Sequence, residues 1–164
     1  MPKKRLPKII NTILALDAAT VNTGFAVVTR DLKVLSRGLI HSPASRPTSR
    51  RLKDLYDALI DIMEANEVDA VAVEDQFLGS NVNTIKALSW ARGVIMLLAE
   101  QRKKELIVIN NKTAKKKAKK GNASKSEVKA AIKERLNLEG DLPEDVSDAI
   151  SIGLAFFFQE EEAS

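Results

Sequence analysis

Short apolar runs, each ended by polar or turn-forming residues, predict five β-strands. Apolar and β-branched runs of about four to eight residues are typical of strands buried in a sheet. The five predicted strands cover residues 12–17, 25–29, 34–41, 70–74 and 106–109. The first and the fourth each end in an acidic residue, Asp17 and Glu74. A central strand that delivers a functional side chain at its end has this pattern.

Apolar residues spaced three and four positions apart predict two helices in the first two thirds of the chain. The first covers residues 51–66 and has one apolar face. The second runs from a cap at Asn81 or Asn83 to about Lys103. It carries two apolar stripes, one of Ile85, Leu88, Ala91, Ile95 and Leu98, the other of Trp90, Gly93, Val94 and Leu97. We expect Trp90 to be a packing residue, in the core or in a dimer contact.

Two capping boxes predict the last two helices. Ser124 with Glu127 opens a helix that ends at about Leu136. Asp141 with Glu144 opens the final helix, which has Pro143 near its first turn and ends at about Phe158.

The predicted element order is βββαβαβ followed by two helices. Three consecutive strands with short connections predict an antiparallel meander, and the helix before the fourth strand predicts a crossover to a parallel partner. The result is an α/β fold with a mixed five-stranded sheet flanked by helices, the arrangement of RNase H-like domains. We expect one such domain over residues 11–159, a basic lead-in at 1–10 and an acidic tail at 160–164.

The residue types that are absent or rare exclude several classes of site. The 164 residues include no cysteine, which excludes disulfides, thiolate metal sites and cysteine nucleophiles, and a single histidine, which excludes histidine-rich metal sites. No apolar run approaches the roughly 18 to 20 residues of a membrane helix. The basic N-terminus lacks the apolar stretch of a secretory signal. We therefore expect no membrane partner and a cytoplasmic protein.

Positive charge is concentrated in one stretch of the chain. Residues 101–135 hold thirteen Lys and Arg against three Asp and Glu, a net charge of +10, whereas the whole chain carries +4 and the remainder therefore −6. A basic block on a slightly acidic body indicates a surface that binds a polyanion such as nucleic acid. A solvated lysine loop is the alternative. Arg46, Arg50 and Arg51 flank a second loop and leave the same two possibilities, phosphate contact or solvation.

Four carboxylates hold positions that suit catalysis. Asp17 and Glu74 end strands that are neighbours in the RNase H-like order, and Asp145 and Asp148 lie at i and i+3 on one helix face, about 5–6 Å apart. Such oxygen ligands suit Mg²⁺ or Mn²⁺, and two ions about 3.5–4 Å apart can cleave a phosphodiester. The alternative is that the two aspartates complement the helix dipole and the strand-end acids face water. Asp75 should point to the opposite face of its strand and is not counted as a ligand.

Four segments resemble the motifs of the RuvC family of Holliday junction resolvases. The family's aspartate-ending strand and Thr-Gly turn resemble ILALDAATVNTGFAVV at 13–28, and its glutamate-bearing strand, loop and long helix resemble VAVEDQFLGSNVNTIKALSWARGVI at 71–95. The family's Ala-Ser-Lys helix start is similar to GNASKSEVKAAI at 121–132, and its closing Asp-x-x-Asp-Ala helix is similar to LPEDVSDAISIGLA at 142–155. In this order the segments span most of the chain.

The resemblance implies a homodimeric, Mg²⁺-dependent endonuclease that makes paired incisions in four-way DNA junctions during recombination and repair. It implies that Asp17, Glu74, Asp145 and Asp148 are the catalytic metal ligands, holding two Mg²⁺ per site, with Mn²⁺ able to substitute. Phe77 falls where the family has an aromatic residue that contacts DNA bases, and Lys125 falls on a family lysine. A second family lysine falls within residues 115–117. The gaps between the motifs differ in length from those of the family, so the choice among the three lysines stays open. The full set of expected DNA-binding residues is Phe77, Lys112, Lys115, Lys116, Lys117, Lys119, Lys120 and Lys125, the open choice being among Lys115, Lys116 and Lys117.

The chain departs from the family pattern in two places. Ala18 and Ala19 follow the first aspartate, where the family usually has Pro-Gly, and the lysine segment is shorter and more basic. Lysines that grip phosphates add affinity more than sequence selectivity, so we expect other branched DNA, such as forks, to be accepted too. A DNA substrate implies a location at the nucleoid, or in the host cytoplasm for a phage-encoded member.

Two other functions stay open on the sequence alone. One is a non-catalytic module that binds branched DNA through the lysine block, with structural carboxylates. The other is a different RNase H-like nuclease, similar to the YqgF RNA-processing enzymes.

Overall fold

The computed structural model describes residues 8–75, 81–110 and 124–163. Its strands are β1 (Thr12–Asp17), β2 (Asn22–Thr29), β3 (Val34–His41), β4 (Ala70–Glu74) and β5 (Glu105–Ile109). Its helices are α1 (Thr48–Ala65), α2 (Val82–Gln101), α3 (Lys125–Leu136) and α4 (Glu144–Ala163). The predicted element order is confirmed. None of these helices combines the length and the apolar character needed to cross a membrane.

The strands form one mixed sheet in the order β3-β2-β1-β4-β5. β1, β2 and β3 pair antiparallel, and β4 pairs parallel with β1 on one side and with β5 on the other. The predicted meander and the predicted parallel crossover are therefore confirmed. β1 and β4 both lie inside the sheet, so that their last residues, Asp17 and Glu74, are flanked by strands on both sides.

The two faces of the sheet differ in the size of their side chains. The face toward α4 carries many small residues, among them Ala15, Ala26, Ala70 and Ala72. The face toward α1 and α2 carries larger ones, Leu14, Leu16, Val27, Val71 and Val73. The small residues let α4 approach closely: a β-carbon on Gly153 of this helix would lie 2.8 Å from Cγ2 of Val28.

Capping side chains set the starts of α2 and α3. Asn81 caps α2, because its side-chain oxygen accepts a hydrogen bond from the backbone N–H of Asn83 at 2.7 Å. Ser124 and Glu127 form the predicted capping box of α3. Both helix starts agree with the sequence prediction.

The predicted capping box at the start of the final helix is wrong. α4 begins at Glu144, directly after Pro143, and not at the position that Asp141 would cap. A proline disfavours helical backbone in the residue before it, so Leu142 cannot readily be the first helical residue. The carboxylate of Asp141 instead lies 3.5 Å from the amine of Lys129.

The start of β1 and the end of α4 are held by contacts with neighbouring segments. Asp69 accepts hydrogen bonds from the backbone N–H groups of Asn11 and Thr12 at 2.9 and 3.2 Å. Burial acts to raise the pKa of Asp69, but these donors and Lys8 outweigh it and hold that pKa below its ordinary value. α4 continues beyond the predicted end at Phe158 to Ala163. The guanidinium of Arg135 stacks on the Phe158 ring at 4.4 Å, and Arg30 pairs with Glu160.

Candidate active site

Asp17 and Glu74 lie side by side at one edge of the sheet. The parallel strands β1 and β4 pair with Leu16 opposite Val73, and Asp17 and Glu74 are the next residues. Adjacent strands lie about 4.8 Å apart, so the two acids are neighbours. Asp17 also pairs with Gly24 of β2 on its other side. Both acids are half-buried.

Both strand-end acids belong to the layer that α4 covers. Side chains alternate along a strand, and Asp17 follows Ala15 at the two-residue period, as Glu74 follows Ala72. Ala15 and Ala72 are buried against residues of α4. Asp17 and Glu74 therefore share one side of the sheet with the final helix.

Asp75 lies on the opposite side, as the alternation predicts. Its carboxylate is 3.8 Å from the guanidinium of Arg92, which is on α2. The two neighbouring acids thus serve different faces, and Asp75 is separated from the acids of the α4 layer.

Gly24 brings the start of α4 onto the edge where Asp17 lies. A β-carbon on Gly24 would be 1.9 Å from the carbonyl oxygen of Asp145 and 2.8 Å from the amide nitrogen of Val146. Only glycine permits this approach. Gly24 on β2 pairs with Asp17 on β1. The backbone of Asp145, which contacts Gly24, therefore lies against the strand next to the one that carries Asp17. Asp148 follows three residues later in the helix, and both aspartates are half-buried.

The elements that carry the four acids meet, but the carboxylates are not gathered at one point. Within the described ranges, no group of three or more His, Asp or Glu side chains is close enough to hold a metal ion. The donor type nevertheless fits magnesium, which takes hard oxygen ligands. Carboxylates repel one another, and the charge of a bound cation offsets that repulsion.

The comparison with known families decides which family has this arrangement. A family model described as "Crossover junction endodeoxyribonuclease RuvC" matches residues 13–156. The chain belongs to the RuvC family. A RuvC from Chloroflexus aggregans is 33% identical over 86% of this chain and 89% of its own length, and one from Dictyoglomus thermophilum is 27% identical over 91% and 98%. The family resemblance of the motifs is thereby confirmed, and with it the class of endonuclease.

A solved RuvC structure shares the fold. Thermus thermophilus RuvC in complex with a Holliday junction substrate matches with a TM-score of 0.85 and 21% identity, over 93% of this chain and 96% of that one. The RNase H-like fold predicted from the element order is confirmed.

Most of the DNA-binding residues expected from the family motifs and from the basic block lie outside the described residues. These are Phe77, Lys112, Lys115, Lys116, Lys117, Lys119 and Lys120. Lys125 is the first residue of α3, directly after the cap Ser124. The chain enters the lysine segment from the end of β5, where Ile109 pairs with Glu74. β5, the last described strand before the lysine segment, therefore ends at the edge of the sheet that carries the acids.

The arginines near this edge mostly bond within the protein. Arg46 pairs with Asp54 at 2.6 Å. Arg51 donates hydrogen bonds to Thr20, Thr48 and the Arg46 carbonyl. The sequence patterns gave no signal for the bond to Thr20, because 31 residues separate it from Arg51.

One of the two apolar stripes of α2 is exposed. Ala91, Ile95 and Leu98 of the first stripe are buried against the sheet. Trp90 and Leu97 of the second stripe are 48% and 55% exposed, and a β-carbon on Gly93 would meet no atom within 4 Å. Trp90 is therefore not a core residue of a single chain, and the dimer contact stays a prediction.

Proposed function

We propose that this RuvC-family protein is a magnesium-dependent endonuclease that resolves four-way DNA junctions, and related branched DNA, by hydrolysing phosphodiesters. The observation that carries the proposal is the pairing of β1 with β4, which sets Asp17 beside Glu74 while Gly24 admits the start of α4. The solved Thermus thermophilus RuvC is bound to a Holliday junction substrate, which supports this class of substrate. Such a protein acts where DNA is, in the cytoplasm at the nucleoid.

Asp17, Glu74, Asp145 and Asp148 are the residues that would hold the metal. Two bound magnesium ions, or manganese in their place, would supply Lewis-acid stabilisation of charge on the phosphate and the leaving oxygen. Asp17 and Glu74 give the site a fixed side, because the β-ladder holds their backbones. Asp145 and Asp148 close it from the α4 side. Their half-buried position keeps part of the surrounding water away from the reacting phosphate.

The lysine segment supplies the DNA affinity in this proposal. Lys112, Lys115, Lys116, Lys117, Lys119, Lys120 and Lys125 would contact phosphates, and each contact releases counterions from the DNA. Ile109, which ends the last strand before this segment, pairs with Glu74, and this supports a role for the segment near the acids. Phe77, three residues after Glu74, would stack on an unpaired base at the branch point.

A homodimer through the exposed stripe of α2 completes the proposal. Trp90 and Leu97 form an apolar surface, and Gly93 between them permits close approach of a second helix. A two-fold dimer has two equivalent sites, which match two symmetric strands of a four-way junction. Paired incision follows from that symmetry.

The two alternative functions have less support. A YqgF-like enzyme does not agree with the match of the RuvC model over residues 13–156. A non-catalytic DNA-binding module would not need all four acids, yet Asp17, Glu74, Asp145 and Asp148 are all present.

A panel of synthetic DNA substrates tests the proposed function. The protein is incubated with a four-way junction, a fork and a linear duplex of the same sequence, with Mg²⁺ or with EDTA, and the cut strands are mapped. We expect paired, symmetric cuts in the junction, weaker cutting of the fork and none of the duplex, all abolished by EDTA. Binding of junctions without any incision in Mg²⁺ or Mn²⁺ would instead favour the non-catalytic module.

A further inference from the structure

The connection that follows Asp17 has no residue that stiffens it. It consists of Ala18, Ala19, Thr20 and Val21, between the end of β1 and the start of β2. A proline would fix one backbone angle, whereas alanine leaves the backbone free, and ordering free residues opposes folding. Contacts from other parts of the chain must therefore hold this connection in place.

Thr23 holds the first half of the connection. Its hydroxyl donates to the carbonyl of Ala19 at 2.7 Å and accepts from the amide of the same residue at 3.1 Å. Thr23 is only 1% exposed, so that water does not compete for these bonds. The position of Ala19 is thus tied to β2.

Ser42 and Arg51 hold the second half. The amide of Ser42 donates to the carbonyl of Val21 at 2.8 Å. Nη1 of Arg51 donates to Oγ1 of Thr20, also at 2.8 Å. Thr20 is 7% exposed. The Arg51 bond joins the connection to the start of α1.

The guanidinium of Arg51 is itself fixed in direction. Nη2 donates to Oγ1 of Thr48 at 3.0 Å, and Nε donates to the carbonyl of Arg46 at 3.2 Å. These acceptors are uncharged, and among the described residues no carboxylate forms an ion pair with Arg51. Its bonds therefore serve geometry rather than charge neutralisation. The planar guanidinium reaches the three acceptors from three separate nitrogens, a spread that the one nitrogen of a lysine lacks.

We propose that Arg51 is a positioning residue for Asp17, and that it acts through Thr20. This rests on the proposed function, since Asp17 is a metal ligand there. The β-ladder with Gly24 fixes the backbone of Asp17 on one side, and the connection fixes it on the other. If the connection is less ordered, the Asp17 carboxylate samples more orientations in the metal-free protein. Binding a cation then costs more conformational entropy, which weakens metal binding. The affinity for DNA, which the proposal assigns to other residues, stays unchanged.

Mn²⁺ binding to the DNA-free protein, measured by calorimetry, tests the proposal without relying on activity. Thr20→Val removes the acceptor and keeps the shape, and we expect the Kd for Mn²⁺ to rise about fivefold, the effect of one lost hydrogen bond. Thr20→Ser keeps the hydroxyl and the wild-type Kd. Thr29→Val is the matched control: it removes a hydroxyl that accepts from the amide of Lys33 at 3.1 Å, at the other end of β2 from Gly24, and should also keep the wild-type Kd.

The melting temperatures of the same variants separate positioning from stability. If Thr20→Val and Thr29→Val lower the Tm by the same amount and both bind Mn²⁺ as the wild type does, the proposal is overturned. Arg51→Lys is a second test variant, which keeps the positive charge and removes the planar guanidinium. It should bind Mn²⁺ as weakly as Thr20→Val, and wild-type binding by this variant would also overturn the proposal.

Asp17→Asn distinguishes this inference from the proposed function. If Asp17→Asn binds Mn²⁺ as tightly as the wild type, the proposed ligand set is wrong. If it loses Mn²⁺ while Thr20→Val and Arg51→Lys keep it, the ligand set stands and only the positioning role of Arg51 is wrong.

Discussion

The carbonyl of Asp145 rests directly on Gly24, with no room for a side chain between them. A β-carbon at position 24 would lie 1.9 Å from that oxygen. Gly24 is also the pairing partner of Asp17. The contact therefore sets the separation between the strand-end acids and the two aspartates of α4.

Gly24→Ala should lower stability and abolish incision. The added methyl group must push the start of α4 away, and overpacking of this kind costs about 1–3 kcal/mol or more. Gly153→Ala is the matched control, since it crowds the side chain of Val28 in the same helix–sheet interface. It should lower the Tm and keep the activity. Thermal denaturation and junction cleavage, measured where both variants are folded, compare them; equal cleavage by the two would contradict the role of Gly24.

Asp17→Asn and Glu74→Gln should each abolish incision and leave junction binding intact. Each change removes a proposed metal ligand, whereas the proposal assigns DNA binding to the lysine segment. Asp75→Asn is the control, because Asp75 adjoins Glu74 in sequence and faces Arg92 on the other side of the sheet. It should cut at nearly the wild-type rate. Nicking assays in Mg²⁺ and gel-shift assays in EDTA measure the two properties, and full activity of either ligand variant would refute the site.

Replacing Lys115, Lys116 and Lys117 with alanine should weaken binding to every DNA shape. Each phosphate contact contributes about 0.9 to the slope of log affinity against log salt for duplex DNA, so the slope should flatten by up to about three times that amount. Lys33→Ala serves as the control, because Lys33 pairs with Asp31 in the turn between β2 and β3, at the opposite edge of the sheet. An unchanged slope in the triple variant would mean that these lysines are solvated.

Leu97→Glu should convert the protein into a monomer. The change puts a charge on the exposed stripe of α2, which would be buried in the proposed dimer. Leu35→Glu is a close control, because Leu35 on β3 is 57% exposed and Leu97 is 55% exposed. Light scattering at micromolar concentration should show a dimer for the wild type and for Leu35→Glu. A wild-type monomer with full activity would rule out the dimer.

Phe77→Ala should retain the fold and the overall DNA affinity and lose most junction cleavage. A ring that stacks on an unpaired base contributes about 1–3 kcal/mol, and an intact duplex offers no such base. Phe77→Leu should recover little, since it has bulk without an aromatic face. A large fall in Tm, with normal cleavage once the variant is folded, would show that Phe77 is a core residue instead.

Local sequence patterns were sufficient for the strands and for the acids that end them. β1, β3 and β4 begin and end where the apolar runs predict, and so Asp17 and Glu74 could be placed from the sequence. β2 was predicted from Phe25 but begins at Asn22. The residues at the start of β2 have the sequence pattern of a turn, yet they pair with Asp17 and with β3.

Contacts between distant residues were beyond the reach of those patterns. The link from Arg51 to Thr20 and the close approach of Asp145 to Gly24 depend on tertiary packing. The Thr-Gly turn motif marks Gly24 in the sequence but does not show which segment packs against it. The extension of α4 past Phe158 likewise accompanies contacts with Arg135 and Arg30. Asp141 misled the prediction because Pro143 was placed inside the first turn of the helix, whereas the helix begins directly after it.

The four acids are attached to the molecule in two mechanically different ways. Asp17 and Glu74 sit on central strands and cannot shift without breaking a ladder of hydrogen bonds. Asp145 and Asp148 lie on α4, and side-chain packing holds this helix against the alanine-lined face of the sheet. Repacking under the first turn of α4, for example at Val146, would move one half of the proposed metal site relative to the other, whereas Gly153 lies further along the helix. Metal affinity at the proposed site would therefore depend on the thickness of a hydrophobic layer that no ligand touches.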